Sequence, residues 1–204
     1  MHHSALRVIR DEHASLAAML KSMLQMIQRG PDADGKHAPE QYFDVLRAML
    51  FYIDEFPEKQ HHPKESNLLF PRVARVAPHT MATIEQLERD HMQGETVVRD
   101  LQHKLLAWEL LGESRRKTFV DDVERYIGFY LEHMRLEETV ILPEAEARLS
   151  EEDRRDLDAA FSRHVDPLVS MHKNVGHEAP AHDPAFDRLF TRIVMRAPAP
   201  IGLG

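Results

Sequence analysis

Two short strings in this chain share one pattern: HHPKESNLLFP, beginning at His61, and HMRLEETVILP, beginning at His133. Each runs His, then Glu four residues later, then apolar residues, then Pro ten after the His. A His and a Glu at i and i+4 share one face of a helix, so each string can offer a ring nitrogen and a carboxylate oxygen to one point. Upstream, RDEH ends at His13 and ERDH ends at His91. The order is therefore His13, then His61 with Glu65, then His91, then His133 with Glu137. All six occupy positions that a core pattern would give to Leu or Ile. A buried carboxylate costs several kcal/mol unless it is paired or bound to metal. Imidazole nitrogens with carboxylate oxygens suit iron, manganese or zinc. Two carboxylates on opposite helices can each bridge two ions, with four histidines as terminal ligands. The alternative is a metal-free His–Glu network, which requires histidines that are charged or donating.

The elements that must position these residues are helices. Leu6, Ile9, His13, Leu16, Leu20, Leu24 and Ile27 step by three or four, as one face of a helix does. GPDADGKHAP, residues 30–39, breaks the pattern. Phe43, Leu46, Leu50, Ile53, Pro57, His61, Glu65 and Leu68 give a second helix, with Pro71 and Pro78 near its end. Ile84, Leu87, His91, Val98, Leu101, Leu105 and Trp108 give a third, closed by Gly112. Phe119, Val123, Tyr126, Tyr130, His133, Glu137 and Ile141 give a fourth, which continues past Pro143 to Leu149. A fifth starts at Ser150, which with Asp153 resembles a capping box, and runs to about residue 163. Asp166-Pro167 marks a break, residues 174–184 read as a loop, and a short helix follows near 185–196. No strand pattern occurs. The fold expected is all-α: an up-down-up-down four-helix bundle over residues 1–149, with an additional C-terminal helical segment and tail, 150–204, packed on it.

The six residues can meet at one level. Glu65 lies 13 residues before Pro78 and His91 lies 13 after it; His91 and His133 lie 21 residues either side of Gly112. At ~1.5 Å per residue, equal counts mean equal heights. His13 and His61 are less evenly placed about the first loop, by about 7 Å. Pro57 and Pro63 are costly inside a helix, roughly 3 kcal/mol each. Pro63, between His61 and Glu65, deletes a backbone hydrogen bond, and the resulting kink is expected to aim both side chains at one metal pair.

The bulk composition narrows the class. The chain has 204 residues, 43% hydrophobic and 29% charged, enough for one domain with a real core. No cysteine is present, which excludes disulfides, thiolate zinc sites and cysteine-held iron–sulfur clusters. A net charge of -8 argues against nucleic acid as a partner. There is no long apolar run and no secretory leader pattern, so the expectation is a cytoplasmic protein with no membrane partner. Fourteen histidines are many for this length.

The pattern H…HxxxE…H…HxxxE over residues 13–137 resembles the hemerythrin-like, or HHE cation-binding, family, and the HHPKE…LFP string is typical of its bacterial members. The resemblance covers about the first 145 residues, with the Asp166-Pro167-Leu168 turn as a further point of likeness. It implies a bundle around two non-haem, carboxylate-bridged iron ions, another divalent metal being the alternative. It makes His13, His61, His91 and His133 terminal ligands, and Glu65 and Glu137 bridges. Oxygen-carrying members place a His-xxx-His pair on the third helix. Here Leu87 stands four before His91 and Glu95 four after it, which leaves His62 or Glu95 to complete the second site. Those members bridge last through an Asp five after the His. Here Glu138 is five after His133 and Glu137 four after; the repeat and the helical phase select Glu137.

Further residues carry open readings. Tyr126 and Tyr130 either pack in the core or reach a ligand. Gly94 either opens space for a small molecule or permits close helix contact. Asp11, Glu12, Arg89 and Asp90 flank the ligand histidines and are candidates to orient them. His164, His172, His177 and His182 have no carboxylate at ligand spacing and read as structural or solvent-facing. The expected function is binding or sensing of a small diatomic ligand, dioxygen or nitric oxide. The alternatives are a di-iron enzyme that reduces peroxide or nitric oxide, and an iron storage or donation protein.

Overall fold

A computed structural model of the chain describes residues 4–31, 39–162, 166, 168–169 and 184–203. The first helix, α1, spans Ala5–Arg29 and ends on Gly30 at φ 80. The second, α2, is one continuous helical run over residues 39–76. The third, α3, spans Met81–Leu111 and ends on Gly112 at φ 84. The fourth, α4, covers residues 116–148. The positive φ of each closing glycine is a conformation that a Cβ would strain, which is why these two helices stop where they do. The four helices touch in ring order, α1 on α2, α2 on α3, α3 on α4 and α4 back on α1. No strand occurs among the described residues. The molecule is an all-α helical bundle, and no described helix is long and apolar enough to cross a membrane.

Two further helices lie against this ring. α5, Glu151–Phe161, is capped by Ser150, whose hydroxyl accepts the Asp153 N–H at 3.1 Å. It is tied to α1 by the Ala5 N–H, which donates to Asp158 Oδ1 at 2.6 Å, and to α2 by Arg75 on Asp153 at 2.7 Å. α6, Pro184–Arg196, packs on α2, with Phe190 against Tyr52 and Phe56. The expected loop over 174–184 and the four C-terminal histidines lie outside the described residues, the backbone of Pro184 excepted.

The core is in two parts. One apolar cluster takes Ala5, Val8 and Ile9 from α1, Leu69, Phe70 and Val73 from α2, Ile84 and Leu87 from α3, Ile141 and Leu142 from α4, and Phe161 from α5. The other takes Leu16 to Ile27, Leu46 to Phe56, Val98 to Trp108 and Phe119 to Tyr130, and includes Phe190, Ile193 and Ile201 from the C-terminal part. In α1, α2 and α3 the candidate ligands fall between the residues of these two clusters, and in α4 they lie between Tyr130 of one and Ile141 of the other. The bundle is thus two hydrophobic plugs with a polar layer between them.

α2 and α4 are not uniformly wound. In α2, Asp54–His61 and Glu65–Leu69 are π-helical, and in α4 Glu137–Ile141 is. The reason lies in the prolines. Pro71 and Pro143 each follow a bridging-candidate Glu by six residues. A proline cannot donate to the carbonyl four back, and its ring collides with that carbonyl. Widening the turn before it relieves the collision: the Phe70 N–H reaches back five residues to Glu65 O, and Leu142 N–H to Glu137 O. In the π segment that holds Pro57 the bond lies on the other side of the proline, from the His62 N–H to Pro57 O. Pro63, where the sequence leads one to expect a kink, lies in a short α segment, His62–Lys64, between two π segments. Such π turns insert a residue and re-aim the side chains around them, and they concentrate at functional sites.

Candidate metal centre

The polar layer brings seven side chains together, all buried: His13, His61, His62, Glu65, His91, His133 and Glu137. They form two groups whose ligand atoms lie within 4.8 Å of one another: His13, His61, Glu65 and Glu137, and His62, Glu65, His91 and His133. Glu65 belongs to both groups and stands between them. Its Oε1 is 3.0 Å from His61 Nε2, while its Oε2 is 3.6 Å from His91 Nε2. Glu137 is split the same way: Oε2 is 3.1 Å from His13 Nε2 and Oε1 is 3.4 Å from His133 Nε2. Each carboxylate therefore turns one oxygen to each half of the layer.

Neither carboxylate has a hydrogen-bond partner outside the layer. Glu65 and Glu137 are fully buried, and the polar atoms their oxygens face are the ring nitrogens of the layer. Within each half, two ring nitrogens converge: His13 and His61 bring their Nε2 atoms to 3.3 Å, and His91 and His133 to 3.2 Å. His62 stacks on His91 with ring centroids 4.1 Å apart. Lone pairs from imidazoles and carboxylates that point at one another in a dry layer repel unless protons or cations lie between them.

Every one of these histidines is held through its other nitrogen. His61 Nδ1 lies 2.6 Å from Glu12 Oε2, His13 Nδ1 3.0 Å from Glu138 Oε1, and His62 Nδ1 3.1 Å from Glu58 Oε2. His133 Nδ1 lies 3.4 Å from Asp90 Oδ2. His91 Nδ1 is 3.0 Å from Ser66 Oγ, whose hydroxyl is turned to Glu88 at 2.9 Å and so leaves a lone pair for the ring N–H. An acceptor at Nδ1 places the ring proton there and leaves Nε2 as the electron-pair donor, which is the tautomer and orientation a metal-binding histidine needs.

Protons show how strongly the layer demands positive charge. Against the downward push of burial, Glu137 and Glu138 hold His13 up at about 9. His61 and His133 are also raised against burial, by the charges of Glu65 and Glu137 respectively. His62 and His91 are lowered, by burial first and then by the other histidines. Glu65 is raised by burial and by the charge of Glu137.

Of the open readings, several are decided by position. His62 is inside the layer, at 4% exposure. Glu95 is on the surface, paired with Arg99 at 2.5 Å, and does not face the layer. Glu138 lies beside the layer as the partner of His13, and Glu137 within it. Among the flanking residues, Glu12 and Asp90 contact ligand-candidate histidines, whereas Asp11 pairs with Arg7 at 3.9 Å. Tyr130 donates to Glu58 Oε1 and Tyr126 lies 3.3 Å from the same oxygen, so both phenols serve the carboxylate behind His62. Gly94 has a third explanation: a Cβ there would come to 2.6 Å from Tyr130 Oη and 2.8 Å from Glu58 Oε1. It makes room for that hydrogen bond. Glu58, Glu88 and Ser66 were not singled out by sequence reasoning. The available signal for Glu58 was its position four before His62.

The hemerythrin HHE cation-binding domain matches residues 4–145 of the chain.

The chain belongs to the hemerythrin HHE cation-binding family.

Its match covers all seven residues of the layer and stops short of α5 and α6. The chain is also similar to an uncharacterized protein of Mycobacterium tuberculosis, 25% identical over 178 residues, which is 81% of this chain and 68% of that protein. An uncharacterized protein of Haemophilus influenzae is 35% identical over 110 residues, 53% of this chain and 62% of its own length. Membership in a hemerythrin family that binds cations agrees with a layer whose buried oxygens face histidine nitrogens and no group outside the layer.

Proposed function

We propose that the layer is a dinuclear, carboxylate-bridged iron centre and that the protein binds or senses a small diatomic ligand, dioxygen or nitric oxide. The observation that carries this reading is the split of Glu65 and Glu137, each with one oxygen toward His13 and His61 and the other toward the His62, His91 and His133 half. In this assignment His13 and His61 hold one ion and His62, His91 and His133 hold the other. His62 takes the place of the third-helix histidine that the chain lacks. Nitrogen and carboxylate donors of this kind suit iron, and two irons supply reversible redox chemistry. The chain's own part is to keep the layer dry between two apolar clusters, to fix each ring through Nδ1, and to leave the half with two histidines less fully enclosed by donors.

A second reading, reduction of peroxide or nitric oxide, draws support from the Tyr126, Tyr130 and Glu58 group beside His62, where burial pushes Glu58 up to about 7 against the hydrogen bonds of the two phenols. One set of measurements separates them. Metal content is measured on protein purified without added metal, with the near-ultraviolet and visible spectrum of the reduced form before and after dioxygen or nitric oxide. Two irons per chain with a reversible spectral change support the first reading. Peroxide turnover that disappears in His133→Ala supports the second, and rapid loss of iron to a chelator supports storage or donation. A chain that takes up no metal sinks all three.

A further inference from the structure

One histidine of the layer is held from a part of the chain that the hemerythrin match does not reach. Asp166 is buried, 154 residues from Glu12. Its carboxylate accepts the Tyr52 hydroxyl and, at 2.8 Å, the Leu168 N–H. Its own backbone N–H points at Glu12 Oε1 at 3.3 Å. The other oxygen of Glu12 accepts the His61 Nδ1–H at 2.6 Å, and His61 Nε2 faces Glu65. The contacts form one run: Tyr52, Asp166, Glu12, His61, Glu65.

The run has a mechanical consequence. A single hydrogen bond to one oxygen leaves a glutamate free to swing about its side-chain torsions. A second donor on the other oxygen fixes the plane of the carboxylate, and with it the ring that leans on it. The Asp166 N–H is aimed by the side chain of the same residue, because an Asp that accepts from the N–H two residues on closes a local turn. Tyr52, rooted in α2 and fully buried, anchors that turn to the bundle. Of the other carboxylates behind the layer, Glu58 is the most enclosed, at 1% exposure behind His62, and two are less enclosed than Glu12. The Glu138 side chain behind His13 is 42% exposed and that of Asp90 behind His133 is 16% exposed, against 9% for Glu12.

We propose that the Asp166 turn is a positioning element of the metal centre: it clamps Glu12 so that His61 presents Nε2 to the position it shares with His13, which makes the chain beyond the hemerythrin match part of the site. The inference rests on the metal reading above. It predicts a selective effect, confined to the half with two histidines.

The test uses the full-length chain loaded with iron, with release to a chelator followed in time and thermal unfolding followed in parallel. In Asp166→Ala, half of the iron is expected to leave on the order of 10- to 100-fold faster than in the parent, the range seen when groups behind metal ligands are removed, and the other half at the parent rate. Asp166→Asn keeps an acceptor for Leu168 and a partner for Tyr52, and restores the parent rate. Tyr52→Phe removes one hydroxyl and accelerates the same half by less, which keeps the test readable if Asp166→Ala does not fold. Glu12→Gln accelerates the same half, and adding Asp166→Ala to it gives little more, because both act through one ring. Release of both irons at the parent rate from Asp166→Ala and Tyr52→Phe overturns the inference and leaves the metal reading intact. So does an effect that adds in full to that of Glu12→Gln, or one that falls equally on both irons. A parent that takes up no metal sinks both.

Discussion

His62 and Gly94 are the residues whose roles depend most on their neighbours. His61 and His62 are adjacent, so on a helix they point about 100° apart. In a four-helix ring each helix has two neighbours, and both directions can lead inward. His61 turns to Glu12 and His13 of α1, and His62 to His91 of α3. His62→Ala is therefore expected to weaken one metal position and spare the other, read as a drop from two metal ions per chain toward one. Unchanged stoichiometry and affinity would remove His62 from the ligand set. Gly94→Ala is expected to reverse the usual preference. In an ordinary helix interior the change gains about 1 kcal/mol. Here the added methyl meets the Tyr130 hydroxyl and Glu58, both buried, and overpacking of that kind costs roughly 1–3 kcal/mol. The check is thermal unfolding in two backgrounds: the penalty shrinks when Tyr130→Phe removes the hydroxyl, and an equal penalty in both would refute the account.

At the scale of the element, the π turns are what the prolines do for the site. Pro71 and Pro143 follow Glu65 and Glu137 at the same distance, and the same widened turn precedes each. Replacing Pro143 with Ala restores an N–H that can bond to the Thr139 carbonyl and lets the turn close to α register. The expected result is weaker metal retention, with a metal-free protein at least as stable as the parent. A metal-free variant that unfolds at lower temperature, with retention unchanged, would mean that the proline only stiffens the helix. The periodicity that reveals α2 and α4 shows that Glu65 and Glu137 share a face with their histidines. It does not show the extra residue each turn absorbs, because a local pattern of apolar spacing tolerates a one-residue slip where the surrounding side chains are polar.

Across the whole molecule, the metal-free layer is a liability that protons partly relieve. Loading requires neutral rings and charged carboxylates, while His13, His61 and His133 hold protons above their ordinary range in the metal-free chain. Metal uptake at neutral pH should release protons and weaken as pH falls. Titration of unbuffered protein with ferrous ion under anaerobic conditions reads this directly, and uptake without acidification would contradict it. Asp166 adds a separate pH term. Burial raises it from 3.8 to about 7, so the native state binds its proton more tightly than the unfolded chain does. Its contribution is complete below the unfolded value and is lost as pH rises toward about 7, an amount up to about 4 kcal/mol for a shift of that size. Asp166→Asn should flatten the stability profile between pH 4 and 8 relative to the parent, and a parallel profile would show that Asp166 does not titrate there.

The sequence alone determined the helices, their order, and the six repeated His and Glu positions, because apolar spacing and a duplicated motif are local properties of the chain. It also made the family resemblance legible over the first 145 residues. Only the tertiary structure placed His62 in the buried layer and Glu95 on the surface, put Glu137 in the layer and Glu138 beside it, gave Gly94 its reason, and joined Asp166 to Glu12. Each of those depends on which neighbouring helix a side chain meets, and so on the rotation of one helix against another. That rotation is set by packing and by turns that depart from 3.6 residues, and neither is written in the spacing of residues along a single helix.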